Sequence, residues 1–327
     1  MNRFGLVADA GGTNVRFALV DLDASGDVAL RAPQKFTSRD FSSIFDAARE
    51  YLALQNLHEA PASGVVSVAG PVQENAINMT NLGWRFSGGE LGQVLGTTQV
   101  QIINDYEAIA RSVASLKDVD LRVIGPSILP KCDERETVAI VGPGTGLGVG
   151  GYARTQKELV PLVGEGGHAD FAPFDDAEIE ILKFLRRKFG HVSNERILSG
   201  PGLVNLHEAL SDVEGVPYGK VESRDITAQA IADKYSFCGR VLARFCAILG
   251  SVAGDVTLTM GARHGVMLAG GILPAVADFF AASDFRARFE AKGRFEGYMK
   301  AIPTRLIVND NASLLGAATL LISKANR

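Results

Sequence analysis

The pattern of apolar and polar positions predicts short buried strands that alternate with amphipathic helices. Residues 4–8 predict a strand, residues 15–20 alternate as a returning strand, and the turn between them is polar and rich in glycine. Residues 99–103 are a short apolar run, and from Tyr106 onward the apolar positions recur at helical spacing. This alternation indicates an α/β fold.

The same pattern recurs in the second half of the chain. Residues 137–141 predict a strand, residues 147–154 predict another, and a turn of glycine, proline and threonine joins them. Two such units, far apart in one chain, predict a duplicated domain core whose two turns face one ligand. A mixed segment at residues 116–135, with prolines at 126 and 130, is where we expect a domain boundary.

Composition limits the classes of function. The chain has 327 residues, 46% of them hydrophobic, which suggests two domains and a large core. A net charge of −4 and a pI near 5.8 argue against a nucleic-acid surface and favour a small-molecule partner. No secretion signal opens the sequence and no apolar run reaches about 18 residues, so we expect a soluble cytoplasmic protein without a membrane partner.

The cysteines predict neither disulfides nor a zinc site. Cys132, Cys238 and Cys246 form no CxxC pair, and an odd count is poor material for a disulfide framework or a zinc cluster. We therefore expect reduced thiols and no zinc.

Asn104 and Asp105 stand where the predicted strand gives way to the predicted helix. In open α/β sheets, ligands and catalytic groups collect at this carboxyl end of a strand. The alternative is that Asp105 only caps the helix by accepting hydrogen bonds from its first N–H groups.

The first glycine-rich turn, residues 9–14, has the composition of a phosphate-binding loop. Adjacent glycines let backbone N–H groups approach a phosphate, Thr13 and Asn14 add donors, and Asp9 can hold a metal ion or its water. An ordinary hairpin turn would carry the same glycines.

The second turn invites a different interpretation, which its context excludes. Residues 146–151 formally satisfy Gly-x-Gly-x-x-Gly, but a dinucleotide fingerprint must open a helix and these glycines run into a predicted strand. The sequence also lacks the common P-loop pattern, G-x-x-x-x-G-K-[ST]. Residues 266–269 predict a buried strand that ends at Gly270 and Gly271, a reasonable platform for a flat base such as adenine.

A further loop places Glu165 and His168 close together in the sequence. Acids and an imidazole suit sugar hydroxyls, which both donate and accept hydrogen bonds. No second histidine stands at H-x-x-x-H spacing, so zinc is improbable. The position of Glu195 in the sequence does not predict its role, and the default interpretation is a glutamate on the protein surface. Asn81 either reaches a ligand or is a solvated loop residue.

Five motifs occur in a fixed order. They are Asp-x-Gly-Gly-Thr-Asn from Asp9, Ile-Asn-Asp ending at Asp105, Gly-Pro-Gly-Thr-Gly-Leu-Gly from Gly142, Gly-Glu-Gly-Gly-His ending at His168 and Ser-Gly-Pro-Gly-Leu from Ser199. Together they strongly resemble bacterial glucokinases of the hexokinase type, from Asp9 to the last predicted helix. Related kinases and repressors carry a zinc-binding cysteine cluster after the Gly-His motif. This chain has none, so it resembles the group without zinc.

The resemblance implies the actin-like, hexokinase-like ATPase fold. In that fold two α/β domains with duplicated ribonuclease H-like cores close over a cleft that holds sugar and nucleotide. The last strand and helix would return to the smaller domain, so we expect domains at residues 1–115 with 305–327 and at residues 116–304. A homodimer is also implied.

By the same resemblance, the activity is ATP-dependent phosphorylation of the 6-hydroxyl of glucose, which feeds glycolysis. Asp105 would be the general base, and Mg²⁺ would bridge the phosphates and contact Asp9 through water. The implied sugar ligands are Asn104, Asp105, Glu165, His168 and Glu195, to which we add Asn81. The expected nucleotide-binding residues are Ala8, Asp9, Ala10, Gly11, Gly12, Thr13, Asn14, Gly142, Gly144, Thr145, Gly146, Gly270 and Gly271.

Two rival functions stay open. The first is a kinase for another hexose or for an amino sugar, because a ring of hydroxyl-binding groups does not name its epimer. The second is a non-catalytic sugar-binding regulator or an actin-like assembly protein. Asp105 at the strand end argues against the second rival, as does our expectation that no DNA-binding extension precedes the first strand.

Overall fold

The computed structural model describes residues 3–23, 27–57, 59–79, 81–125, 135–156, 158–217 and 219–325. The chain divides into two compact units of mixed α/β structure. The first is formed by Met1–Asp120 with Asn309–Arg327, and the second by Leu121–Val308.

The first unit is built on a five-stranded sheet. Its strand order is β3-β2-β1-β4-β7, in which the first three strands are antiparallel and β1, β4 and β7 are parallel, while β5 and β6 form a separate hairpin. In chain order the elements are β1 (Phe4–Ala10), β2 (Asn14–Asp21), β3 (Leu30–Thr37), α1 (Ile44–Gln55), β4 (Gly64–Val68), β5 (Ala76–Met79), β6 (Trp84–Ser87), α2 (Gly88–Leu95), β7 (Val100–Asn104) and α3 (Asp105–Ser112).

The second unit contains a six-stranded sheet in the order β11-β10-β9-β12-β13-β8. Its elements are β8 (Leu121–Val123), β9 (Arg135–Pro143), β10 (Leu147–Thr155), β11 (Leu159–Gly164), α4 (Asp176–Phe189), α5 (Gly200–Glu214), α6 (Ser223–Ala232), α7 (Phe237–Met260), β12 (Val266–Leu268), α8 (Ile272–Ala275), α9 (Ala277–Ala281), α10 (Phe285–Glu290), α11 (Glu296–Lys300) and β13 (Thr304–Ile307). The chain then ends with α12 (Ala312–Ala325), which belongs to the first unit.

The two sheets share one topology over five strands. In each, a glycine-rich hairpin is extended by a third antiparallel strand on one side and by two parallel strands on the other. In the described part of the chain, the second sheet adds one further strand, β8, which is antiparallel to β13. The predicted duplication of the core is confirmed.

The expected return of the last strand to the first unit is wrong. β13 pairs in parallel with β12, from Thr304 opposite Val266, and is therefore the fifth strand of the second sheet. Only α12 returns, because its apolar face fills the core beside β1 and β4, where Leu314 and Leu321 pack with Val7. The unit boundaries accordingly fall after residues 120 and 308, later than expected.

Two helix ends also differ from expectation. The helix after β7 stops at Ser112, although apolar residues continue at helical spacing beyond it. Asp225 precedes apolar residues at helical spacing, which predicts it as the cap of α6, but it is the third residue of that helix. The N-terminal cap is Glu222, whose own N–H donates to the Asp225 carboxylate at 3.4 Å.

Apolar residues at helical spacing predict a long helix from Phe237 to about Met260, and α7 has these bounds and forms the centre of the second core. It is long and apolar enough to cross a membrane, but 72% of its most apolar window is buried, as in the core helix of a soluble protein. It carries the free thiols of Cys238 and Cys246, and burial raises the pKa of both, that of Cys246 to about 12. Cys132 lies outside the described residues.

Candidate active site

In the first unit, the parallel strands β1, β4 and β7 end side by side. Ala10 pairs with Val68, and Val68 pairs with Asn104. The residues that follow these strands therefore leave the sheet at the same edge. The first glycine-rich turn and Asp105 meet at this edge, which is where open α/β sheets bind their ligands.

The turn between β1 and β2 is held by a serine that the sequence did not single out. The buried Ser38 donates its N–H to the Thr13 carbonyl and its hydroxyl to the Gly11 carbonyl, both at 2.9 Å. Gly11 in turn donates its N–H to the Asn14 carbonyl at 2.9 Å. Gly11 and Gly12 are half-buried and Thr13 is exposed. The turn is thus fixed at its base and open to ligand at its tip.

Asp9 lies on β1 at the base of this turn, with Ala8 and Ala10 buried on either side. Its carboxylate accepts hydrogen bonds from Arg16 on β2 at 3.1 Å and from the Ser67 hydroxyl on β4 at 2.9 Å. Burial raises the pKa of Asp9, and the charge of Arg16 and the Ser67 hydrogen bond oppose that rise. The result is an oriented carboxylate, the hard oxygen ligand that Mg²⁺ prefers.

Asn104 caps the helix that follows β7. Its Oδ1 accepts the Tyr106 N–H at 2.8 Å, and its Nδ2 donates to the Gly70 carbonyl at 3.0 Å. Since Gly70 follows β4, the Asn104 carboxamide joins the ends of two neighbouring strands. The residue that was expected to bind sugar therefore also shapes the junction.

Asp105 is the first residue of α3 and is half-buried. Its Oδ1 also lies 3.0 Å from the Tyr106 nitrogen, but the N-terminal cap is Asn104, so the capping interpretation of Asp105 is not needed to explain the helix. Burial, and secondarily the adjacent Asp105 charge, raise the pKa of Tyr106 well above its ordinary value. The carboxylate stands at the positive end of the α3 dipole, which favours negative charge.

In the second unit, the turn between β9 and β10 is braced by two separate segments. Gly144 donates its N–H to the Gly146 carbonyl and accepts the Gly200 N–H from the start of α5, both at 2.8 Å. Gly270 packs against the Pro143 carbonyl with φ of +85°, so a side chain there would be strained and would collide with backbone. The predicted adenine segment thus lies beside the predicted phosphate turn.

Glu195 lies at the base of the same turn. Its Oε2 accepts the Leu147 N–H at 2.9 Å, and its carboxylate fills the space that a Cβ on Gly146 would need. The side chain is half-buried rather than on the open surface, so the default interpretation of Glu195 is wrong.

The loop after β11 brings Glu165 and His168 to the start of β10. The backbone of Glu165 forms a parallel bridge with Val149, and Gly167 packs directly on Leu147. The side chains of Glu165 and His168 both belong to exposed residues. They are therefore accessible to a ligand without rearrangement of the loop.

This loop is fastened to the segment that carries Glu195. The Ala169 carbonyl accepts the Asn194 N–H at 2.9 Å, and the Val192 carbonyl accepts the Phe171 N–H at 3.0 Å. The second unit consequently gathers its nine predicted site residues around the start of β10, namely Gly142, Gly144, Thr145, Gly146, Glu165, His168, Glu195, Gly270 and Gly271.

Asn81 is a predicted sugar ligand that belongs to the first unit. It is exposed in the turn between β5 and β6, and no hydrogen bond in the described part of the chain links it to another predicted site residue. Within the described residues, no group of three or more His, Cys, Asp or Glu side chains is placed to hold a metal ion.

Comparison with known proteins points to one family. The family model described as Glucokinase matches residues 6–324. The chain is 45% identical over 317 residues to the glucokinase of Caulobacter sp. (strain K31), covering 97% of this chain and 94% of that one. It is 43% identical over 320 residues to the glucokinase of Xanthomonas oryzae pv. oryzae (strain MAFF 311018), with 97% and 94% covered.

Solved structures agree with the sequence relatives. A glucokinase from an Antarctic psychrotroph superposes with a TM-score of 0.84 at 35% identity, covering 99% of this chain and 100% of that one. A ROK family glucokinase from Streptomyces griseus, solved with glucose and AMPPNP, has a TM-score of 0.65 at 18% identity, covering 97% and 98%. The more distant structure shows the same fold.

Proposed function

This chain belongs to the glucokinase family, and from that premise we propose that it transfers the γ-phosphoryl group of ATP to the 6-hydroxyl of glucose. The observation that carries the proposal is the junction after β7. There Asn104 supplies the helix cap, and the Asp105 carboxylate is presented at the same sheet edge as the first glycine-rich turn.

In this proposal Asp105 accepts the proton of the 6-hydroxyl as the oxygen attacks phosphorus. General-base catalysis of this kind contributes about a hundred- to ten-thousand-fold in rate. Most of the remaining acceleration comes from positioning and charge stabilisation, because phosphoryl transfer demands little covalent chemistry from the protein.

The other sugar hydroxyls would be bound by Asn104, Glu165, His168 and Glu195. Carboxylates accept from hydroxyls, while a carboxamide and an imidazole can both donate and accept, so the set matches groups that do both. The Streptomyces griseus relative was solved with glucose and an ATP analogue, which supports this pair of substrates. Asn81 is exposed and is the weakest member of the proposed sugar site.

The nucleotide would be held mainly by backbone. N–H groups of the two glycine-rich turns suit the phosphates, and the Gly270–Gly271 segment suits adenosine. Mg²⁺ usually keeps several waters and is bound through one or two carboxylates plus substrate phosphates, so the fixed carboxylate of Asp9 is a sufficient protein ligand. The bound ion would neutralise charge on the phosphates as the bond to the leaving group breaks.

We also propose a cytoplasmic location, a homodimer and a supply of glucose 6-phosphate to glycolysis. A coupled assay with magnesium-ATP against glucose, mannose, fructose, galactose and N-acetylglucosamine tests the proposed activity. We expect the highest kcat/KM with glucose and no ADP release without sugar. A clear preference for another sugar would replace glucose in the proposal, and no sugar-dependent ADP release would refute it.

A further inference from the structure

β7, the strand that ends in Asn104, is an outer strand of the first sheet. Among the residues that the structure describes, one side of its backbone therefore has no strand partner in that sheet. Asn75 lies against this side, because its Nδ2 donates to the Val100 carbonyl at 2.9 Å and its Oδ1 accepts the Ile102 N–H at 2.6 Å. A carboxamide offers a donor and an acceptor like a peptide group, so Asn75 takes the place of a neighbouring strand's peptide.

Asn75 is itself anchored by its main chain. It adopts the left-handed conformation with φ of +58°, which asparagine tolerates better than most residues. Its carbonyl accepts the Gly88 N–H at 2.9 Å, at the start of α2. The side chain that holds β7 is thus tied through its backbone to a helix of the same unit.

In the second sheet, the corresponding strand edge is covered by another strand. β13 has the same place in its sheet as β7, and its outer side is covered by β8, with Arg305 opposite Val123. An uncovered outer strand presents free N–H and C=O groups, which proteins pair or cover. The outer edge of the fifth strand is thus paired with a strand in the second sheet and with the side chain of Asn75 in the first sheet.

We propose that Asn75 is a positioning residue for catalysis. Ile102 is two residues from Asn104 and three from Asp105. The two hydrogen bonds from Asn75 to β7 therefore fix the position of the end of this strand, and with it the positions of Asn104 and Asp105. This inference rests on the proposed role of Asp105 as the base. A displacement of about 1 Å can cost about a hundredfold in rate, so a loosened β7 lowers turnover while the unit stays folded.

Asn75→Gly tests the proposal, because glycine accommodates the left-handed backbone and removes the side chain with its carboxamide. Asn56→Gly is the matched control. Asn56 is also exposed and left-handed, with φ of +49° at the end of α1, and its side chain has no hydrogen-bond partner among the described residues. Asn75→Gly should lower kcat about tenfold or more at saturating glucose and magnesium-ATP, with the KM for ATP at the parent value. Asn56→Gly should keep the parent kcat.

Amide hydrogen exchange supplies a second readout that does not depend on catalysis. The Ile102 amide should exchange faster in Asn75→Gly and at the parent rate in Asn56→Gly. An equal loss of kcat in both variants would overturn the proposal, since it would reflect general loosening of the unit.

Asp105→Asn, assayed in parallel, separates this inference from the proposed function. Parental kcat in Asn75→Gly beside an inactive Asp105→Asn overturns the positioning role alone. Full activity in Asp105→Asn removes the base, and with it the reason for Asn75 to affect turnover.

Discussion

The fifth strand of each sheet ends in nearly the same four residues. Ile-Ile-Asn-Asp spans the end of β7 and the first residue of α3 at residues 102–105, and Ile-Val-Asn-Asp begins with the last residue of β13 at residues 307–310. In both copies the asparagine Oδ1 accepts the N–H two residues further on, from Tyr106 in the first and from Asn311 in the second, each at 2.8 Å. The motif therefore builds a strand-to-helix junction in both places.

The surroundings of the two aspartates differ. Asn104 Nδ2 donates to the Gly70 carbonyl, whereas Asn309 Nδ2 donates to the Asp120 carboxylate at 2.9 Å. Asp105 is half-buried at a sheet edge shared with a glycine-rich turn, and Asp310 is exposed. The comparison teaches that the Ile-x-Asn-Asp motif specifies the local geometry of the strand-to-helix junction. Whether its aspartate is placed to bind a ligand depends on which strand ends lie beside it.

The largest predicted effect is a difference between the same substitution at the two junctions. Asp105→Asn keeps the shape and one acceptor oxygen but cannot take a proton, so kcat should fall at least about a hundredfold while glucose still binds. Asp310→Asn should leave kcat unchanged, because that carboxylate is exposed and has no role in the proposed reaction. Steady-state kinetics and glucose binding by calorimetry check both variants. Equal activities would end the proposed mechanism.

The repeated motif also shows what the sequence could predict. Alternation and glycine turns are local signals, and they locate the two hairpins and α7 closely. A second Ile-x-Asn-Asp motif begins at Ile307. Because the first copy marks the end of the fifth strand of the first sheet, the second copy indicates that residues 304–307 are the fifth strand of the second sheet. The family resemblance, which implied that the last strand returns to the first domain, was a weaker guide than this internal repeat.

The residues that hold the site in place carry no such local signal. Ser38 bonds to Gly11, 27 residues away, Ser67 bonds to Asp9, 58 residues away, and Asn75 bonds to Val100, 25 residues away. A single serine or asparagine in a loop or strand has no periodicity, so its partner becomes visible only when the strands are assembled. The sequence predicts the groups that meet ligand better than the groups that orient them.

The second prediction concerns the loop after β11 that carries Glu165 and His168, which we call the sugar loop. His168→Ala should raise the KM for glucose, because a lost hydrogen bond to a ligand costs about 0.5–1.5 kcal/mol, or up to about 3 kcal/mol when one partner is charged. His191→Ala is the matched control on the neighbouring segment, where the histidine pairs with an exposed Asp170. Such surface pairs contribute about 0–1 kcal/mol, so its KM should change little. A higher glucose KM in His168→Ala than in His191→Ala supports a role of the sugar loop in sugar binding. Equal KM values would mean that the loop has only a structural role.

The smallest predicted effect separates capping from sugar binding at the two asparagines. Asn104→Ala and Asn309→Ala each remove a side-chain oxygen that accepts a backbone N–H at the start of a helix. Loss of such a cap costs about 0.5–2 kcal/mol, so chemical denaturation should show similar destabilisation of both variants. Only Asn104→Ala should also raise the KM for glucose, since Asn104 retains a second amide hydrogen and a second lone pair after its bonds to Gly70 and Tyr106. If the two variants are destabilised alike and bind glucose alike, Asn104 only shapes the junction, and the proposed sugar site loses that residue.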